Sequence, residues 1–181
     1  MPWQVTHATP AALYAKTADR KWECDSNMPD ETPEQVEIRR KLHLLFWLQA
    51  WDIARQLVET ERGSRMEVVL GGGLEAFLPP NQTIPQVSPY RPSGWEKGCR
   101  NGRKDGRDLV GEWEGEHPQG QAVHTREELL QVNFNSTEQL LGLFSHSVMP
   151  FDDEREVEGV TPRWLSLSYS NLVNLFKAWK R

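Results

Sequence analysis

Apolar residues recur at spacings of three and four between residues 33 and 60, which is the pattern of an amphipathic helix. Thr32, Pro33 and Glu34 offer an N-terminal cap, a first-turn proline and an early acid, so the helix is predicted to begin there. Residues 61–64 are predicted to end it, with Gly63 as the C-cap. The repeating positions are Ile38, Leu42, Leu45, Phe46, Ala50, Ile53, Ala54 and Leu57.

Short apolar segments follow the long helical pattern. Residues 66–70 are rich in β-branched side chains and run into three glycines, which predicts a buried strand and a tight turn. Thr125 and Glu128 have the spacing of a capping box, so a helix is predicted to begin between them. The other segments predict short helices at 109–113 and 125–130 and strands at 121–124 and 140–144. Helices alternating with strands indicate an α/β fold.

Two regions differ from this alternation. Prolines and glycines interrupt residues 79–107 too often for regular structure, which predicts a long surface excursion. Residues 163–181 place apolar side chains along one helical face, which predicts an amphipathic helix in a tail. These side chains belong to Leu165, Tyr169, Leu172, Phe176 and Trp179.

Composition and charge narrow the class of protein. A chain of 181 residues with 38% hydrophobic content is long enough for one domain with a core. The net charge of −5 is spread without long runs of one sign, which gives no support for a nucleic-acid partner. Any anion-binding site must therefore depend on a few neighbouring residues and not on the overall charge of the chain. Two cysteines, Cys24 and Cys99, allow at most one disulfide and do not settle the redox compartment.

The indications of cellular location conflict. The apolar runs are too short for a transmembrane segment, and the first residues lack the pattern of a secretory signal. The triplets Asn81-Gln-Thr83 and Asn135-Ser-Thr137 point instead to export, because N-glycosylation occurs on exported chains. We expect the chain to lack an N-terminal portion that would carry an export signal.

Three segments in a fixed order resemble the alkaline phosphatase family. They are Val-Thr-His-Ala-Thr-Pro followed by Ala-Asp-Arg-Lys-Trp in residues 5–22, Leu-Gly-Gly-Gly in residues 70–73, and Leu-Gly-Leu-Phe in residues 141–144. The segment 102–113 also resembles the family. The resemblance implies a partial three-layer α/β/α sandwich with an incomplete central sheet. It divides the chain into an incomplete domain, residues 1–152, with an atypical stretch near 35–51, and a divergent tail, residues 153–181.

The resemblance implies three site residues. Arg20 takes the position of an arginine that binds the substrate phosphate, and a guanidinium suits that role because its N–H groups match two phosphate oxygens. Thr9 takes the position of a magnesium ligand, and His7 lies beside that metal without ligating it. Considered alone, each of these residues fits a solvated surface or loop position. We expect Arg20 to face inward beside Thr9 and His7. His43, His117, His124 and His146 are predicted to be surface or packing residues.

The resemblance also implies a function and its limits. Alkaline phosphatases hydrolyse phosphate monoesters with a serine nucleophile, two zinc ions and one magnesium ion, as homodimers outside the cell or anchored to the plasma membrane. The family's nucleophile lies upstream of the matched region and its zinc ligands lie downstream, so neither is expected in this chain. We therefore expect the chain to be inactive alone. The alternative is a non-catalytic binding or interaction protein that retains part of the phosphatase scaffold.

Overall fold

The computed structural model describes residues 4–30, 51–84 and 99–149, together with residues 32, 34, 37, 86, 87, 89 and 91. The predicted tail at 163–181, the atypical stretch near 35–51 apart from Glu37 and Trp51, and His43 lie outside the described residues. The helices are α1 (Ala8–Ala12), α2 (Ile53–Glu59), α3 (Glu61–Ser64), α4 (Leu109–Glu116) and α5 (Arg126–Gln131). The strands are β1 (Val68–Gly71), β2 (Gly120–Val123) and β3 (Gln139–Leu143), and single 3₁₀ turns occupy Asp25–Asn27 and Leu74–Ala76.

The three strands form one parallel sheet in the order β1-β3-β2. Val69 of β1 pairs with Leu141 of β3, and Ala122 of β2 pairs with the same residue from the other side. A parallel bridge from Gln4 to Gly72 places the N-terminal segment beside the end of β1. The predicted strands at 66–70, 121–124 and 140–144 are confirmed as strands, with small shifts of their ends.

Helices cover both faces of the sheet. Leu141 and Leu143 of β3 pack with the buried residues of α2 and α4, whereas Leu140 packs with Leu129 of α5. Because side chains alternate along a strand, each strand contributes apolar residues to two separate core clusters. The described part of the chain is therefore a three-layer α/β/α sandwich with a short sheet, which confirms the predicted fold class.

The helix predicted for residues 33–60 is wrong at Asp52. Asp52 has extended backbone dihedrals and caps α2, since its carboxylate accepts a hydrogen bond from the Arg55 N–H at 2.9 Å. Thr60 caps α3 in the same way, with its hydroxyl accepting from the Gly63 N–H at 3.1 Å. Residues 53–59 are helical as predicted, whereas residues 38–50 of the predicted helix lie outside the described part of the chain.

Gly63 lies inside α3 and is not a C-cap, which corrects that prediction. A Cβ atom at this position would come within 2.4 Å of the carbonyl oxygens of Gln56 and Leu57. Glycine is required here because the turn from α2 into α3 brings two backbones together. The short helices predicted at 109–113 and 125–130 are confirmed, and the second begins with the predicted capping box.

The surface excursion predicted for residues 79–107 is partly wrong. Its described residues contain no helix or strand, as expected, but Cys99 and Arg103 are fully buried. Arg103 donates two hydrogen bonds to the Asp52 carboxylate, both at 3.0 Å, and a further one at 2.6 Å to Asp105. Periodicity cannot predict this burial, because it depends on the Asp52 carboxylate, which is distant in sequence. Asp52, Arg103 and Asp105 are called the Arg103 network below.

Cys24 and Cys99 form a disulfide with a Cα–Cα distance of 6.1 Å. Hydrogen bonds accompany it. The Asp25 carboxylate accepts from the N–H groups of Lys104 and Asp105, at 3.0 and 2.7 Å, and the Ser26 hydroxyl donates to the Gly102 carbonyl. The segment that follows Trp22 is thereby fixed to the loop that carries Arg103. In the described ranges we find no helix with the length and apolarity needed to cross a bilayer.

Candidate functional site at the carboxyl end of the sheet

Parallel α/β sheets bind ligands at the end where their strands terminate. In this chain, the carboxyl end of the sheet brings together the segments that follow each strand: Gly72 to Glu75 after β1, His124 and Thr125 after β2, and Ser145 to Ser147 after β3. The segment from Gln4 to His7 joins them, because Gln4 bridges to Gly72. This end of the sheet is the candidate site.

The three glycines allow these segments to pack closely. Gly73 has a φ of +98°, and a Cβ atom there would lie 2.6 Å from Gln4 Cγ. A Cβ atom at Gly71 would lie 2.8 Å from Val5 Cγ1. The N–H groups of Gly73 and Leu74 both donate to the Ser145 carbonyl. The glycines thus form the predicted tight turn, and their role is structural.

Glu23 bridges the N-terminal segment to the segment that carries Arg20. One oxygen of its carboxylate accepts a hydrogen bond from Gln4 Nε2 at 3.1 Å, and the other lies 2.7 Å from His7 Nδ1. The Glu23 residue is only 4% exposed, so these contacts are shielded from water. Carboxylates that hold an imidazole in this way fix its orientation. Gln4, Glu23 and His7 are called the Glu23 bridge below.

The backbone of Thr9 lies in the first turn of α1, which begins directly after His7. The side chain of Thr9 lies outside the described part of the chain. Its predicted role as a magnesium ligand therefore stays a prediction.

Arg20 lies in a turn whose backbone is firmly held. The Trp22 N–H donates to the Asp19 carbonyl at 3.1 Å, and the Lys21 N–H donates to the Asp19 carboxylate at 2.9 Å. Beyond the turn, the Trp22 carbonyl accepts from the first N–H of α2, that of Ile53. Arg20 itself is exposed and does not face inward as expected. Its side chain is accessible to an anion from solvent, and its role in binding phosphate stays a prediction.

No local pattern points to Glu23 as a site residue. A single acid between a tryptophan and a cysteine has no periodicity and no metal-site spacing. Only the fold brings it to His7, which is 16 residues earlier in the chain. Its position three residues after Arg20 means that one buried carboxylate joins two of the segments that the sequence singled out.

Glu75 is a second buried carboxylate at this end of the sheet. One of its oxygens pairs with Arg91, and the carboxyl group also interacts with the Ser147 side chain. Burial raises the pKa of the Glu75 carboxyl above its usual value; Arg91 and Ser147 oppose this change, and the charge of Glu23 adds to it. Nearby, Gln4 Oε1 and Thr6 Oγ1 are buried without a hydrogen-bond partner in the described ranges. A buried oxygen without a partner costs free energy unless water or a ligand satisfies it.

The other described histidines, His117, His124 and His146, are packing residues, as predicted. His117 stacks on Trp113, with ring centroids 4.6 Å apart. His124 Nδ1 lies 3.1 Å from the Leu143 carbonyl oxygen. Burial lowers the pKa of His146, and the charges of Arg91 and His124 act in the same direction. His146 is therefore predominantly neutral at physiological pH.

A metal centre needs several ligands that converge, and the described residues contain no group of three or more His, Cys, Asp or Glu side chains that could hold an ion. His7 and Glu23 contact each other but gain no third such residue. The described residues alone thus do not fit a complete magnesium or zinc site.

The comparisons of sequence identify one family. The family model described as alkaline phosphatase matches residues 3–163. Alkaline phosphatase 4 of Drosophila melanogaster is 36% identical over 157 residues, covering 84% of this chain and 24% of that protein. The membrane-bound alkaline phosphatase of Bombyx mori is 32% identical over 152 residues, covering 82% of this chain and 24% of that protein. The crystal structure of Thermus thermophilus alkaline phosphatase, 26% identical, superimposes with a TM-score of 0.48 over 87% of this chain and 21% of that chain.

Proposed function

We propose that this chain, which belongs to the alkaline phosphatase family, forms the phosphate-binding wall of a phosphate monoester hydrolase. The chain spans about a quarter of the length of the curated relatives it matches. The observation that carries the proposal is the Glu23 bridge. It ties the turn that carries Arg20 to the segment that carries His7, at the end of the sheet where α/β proteins bind ligands.

Arg20 is the proposed phosphate ligand. An arginine on a turn with a fixed backbone loses little backbone entropy on binding, and its planar guanidinium can donate two parallel hydrogen bonds to a phosphate group. Because Arg20 is exposed, phosphate in solution can reach its guanidinium group. Thr9 and His7 are proposed to lie beside the magnesium ion of the complete enzyme, with Thr9 as a ligand and His7 outside the first coordination sphere.

The isolated chain is proposed to bind phosphate without hydrolysing its esters. Accelerating phosphate monoester hydrolysis requires factors of up to ~10²¹, which the family reaches with a serine nucleophile and two zinc ions. A charge-assisted hydrogen bond contributes only about 1.5–3 kcal/mol. One arginine therefore supplies affinity for the phosphate group and a small fraction of the catalytic effect.

The complete enzyme is proposed to be an exported homodimer, outside the cell or anchored to the plasma membrane. The buried disulfide between Cys24 and Cys99 supports export, since disulfides persist in oxidising compartments. The name of the Bombyx mori relative, a membrane-bound alkaline phosphatase, agrees with this location.

The test is a titration of the purified full chain with inorganic phosphate, followed by ³¹P NMR. We expect weak, saturable binding that Arg20→Ala reduces by about tenfold or more, because that change removes a charged donor worth more than about 1.4 kcal/mol. Arg65→Ala is the matched control, since Arg65 is also exposed but belongs to the opposite end of the sheet.

Two results would count against the proposal. Equal losses in Arg20→Ala and Arg65→Ala would show non-specific attraction between phosphate and surface arginines. Hydrolysis of a chromogenic phosphate ester by the chain with zinc and magnesium, abolished by Arg20→Ala, would refute the proposed inactivity of the isolated chain.

A further inference from the structure

A tight turn connects α5 to β3 at the amino end of the sheet, opposite the candidate site. The Asn133 carbonyl accepts hydrogen bonds from the N–H groups of Ser136 and Thr137, at 3.0 and 3.1 Å. The Asn133 side chain accepts from the Asn135 N–H at 3.1 Å. These bonds fix the backbone and leave Asn135 near the apex of the turn.

Asn135 is exposed, and its side chain makes no hydrogen bond within the described ranges of the chain. Two other described asparagines, by contrast, are engaged: the Asn133 side chain holds the turn, and Asn27 donates to Cys99 Sγ. The Asn135 amide therefore has no structural role in the fold. A bulky hydrophilic group attached to it would extend into solvent without breaking a contact.

The chemistry of the turn matches one modification. Asn135, Ser136 and Thr137 form the acceptor triplet for N-linked oligosaccharides. In that reaction Asn Nδ2 loses a proton and bonds to the first sugar carbon of an oligosaccharide carried on a lipid diphosphate. The bond from that carbon to the diphosphate oxygen breaks, and the lipid diphosphate leaves with the electron pair. The buried disulfide places the chain in an oxidising compartment, where this reaction takes place.

We propose that Asn135 carries an N-linked oligosaccharide and that the amino end of the sheet is consequently a solvent-facing surface of the parent enzyme. A groove at this end is lined by Ser64, Arg65, Glu67, Phe134, Thr137 and Glu138, next to the attachment point. An oligosaccharide there keeps other protein surfaces off the groove. It also lies at the end of the sheet opposite the candidate site and therefore leaves that site accessible.

The experiment is translation of the full chain behind a cleavable secretory leader in the presence of endoplasmic reticulum microsomes. Products are compared before and after treatment with peptide N-glycosidase. Addition occurs on the nascent chain, so the result does not depend on whether a variant folds. The variant Asn81→Gln removes the other acceptor triplet, so that only Asn135 can be glycosylated. In that background we expect one oligosaccharide, which is lost in Asn135→Gln and Thr137→Ala and retained in Thr137→Ser.

Asn133→Gln is the matched control, because Asn133 lies in the same turn but has Asn135 where an acceptor needs a hydroxyl residue. It should retain the oligosaccharide. A product of the Asn81→Gln chain that glycosidase does not shift would overturn the proposal. So would a shift that survives Asn135→Gln. The surface assignment is tested on secreted protein: removal of the oligosaccharide should leave the thermal unfolding midpoint and the phosphate titration unchanged, and a changed titration would refute it.

Discussion

The Arg103 network and the carboxyl end of the sheet are both buried and polar, but they differ in how completely their atoms are paired. Arg103 is fully buried, and its guanidinium donates to two carboxylates and to the Ala76 carbonyl. At the carboxyl end, by contrast, Gln4 Oε1 and Thr6 Oγ1 lack partners among the described residues. A saturated polar network stabilises one fold, whereas a buried oxygen without a partner lowers stability unless water or a ligand satisfies it.

The largest effect is expected from Arg103→Ala. Removing the guanidinium leaves the Asp52 carboxylate buried and the Asp105 carboxylate without its main partner, which should lower the free energy of unfolding by about 3–5 kcal/mol. Urea denaturation followed by tryptophan fluorescence measures the change. Arg65→Ala serves as the control, because Arg65 and Glu61 are both exposed. If both changes lowered the free energy of unfolding equally, the Arg103 network would stabilise the chain no more than an exposed ion pair does.

The disulfide next to the Arg103 network should contribute less to the free energy of unfolding than the network does. Changing both Cys24 and Cys99 to serine should lower the free energy of unfolding by about 2–4 kcal/mol, the typical contribution of a disulfide. The measurement is urea denaturation of the double variant beside the oxidised and the reduced protein. A negligible loss would mean that the hydrogen bonds of Asp25 and Ser26 suffice to hold the two segments together.

A pair of threonines tests the comparison most directly. Thr6 is fully buried and its hydroxyl is unpaired in the described ranges, whereas the Thr125 hydroxyl accepts from the Glu128 N–H at 3.1 Å. Thr6→Val should stabilise the chain by about 1 kcal/mol, because it removes an unpaired polar atom. Thr125→Val should destabilise it by about 1 kcal/mol, because it removes a helix cap. Thermal unfolding reports both, and a loss in Thr6→Val would show that its hydroxyl is satisfied.

The smallest effect is a difference in pH dependence. Burial raises the pKa of Glu75 in the folded chain above 4.5. The stability that this carboxyl group contributes is therefore fully present below pH 4.5 and is lost as pH rises through the folded pKa. For Asp105, burial acts upward, but hydrogen bonds from Arg103 and the Arg107 N–H lower its pKa below 3.8 overall. The stability that the Asp105 carboxylate contributes is therefore present above pH 3.8 and is lost as pH falls through the folded pKa.

Urea midpoints measured across the acid and neutral range should show these slopes with opposite sign. Relative to the unchanged chain, Glu75→Gln should flatten the decline above pH 4.5, and Asp105→Asn should flatten the fall below pH 3.8. Parallel curves for all three proteins would mean that neither carboxyl group has a shifted pKa.

The predictions that succeeded rest on contacts within a few residues. The capping box of Thr125 and Glu128 and the helix after Asp108 follow from local patterns, because the groups that cap them are neighbours in sequence. The three strands are also marked by local apolar runs, although their pairing partners are distant in sequence. The helix prediction for residues 33–60 failed at Asp52 because Arg103, 51 residues away, holds that carboxylate and stabilises a cap in place of a helical turn.

The amino-acid sequence by itself determined the alternation of helices and strands, the glycine turn after β1 and the family to which the chain belongs. Only the tertiary structure decided that Arg103 is buried, that Cys24 pairs with Cys99 and that Glu23 joins Gln4 to His7. The physical reason is that a buried charge is stable only beside its partners. Those partners are brought together by the packing of segments that are distant in sequence, which no local pattern encodes.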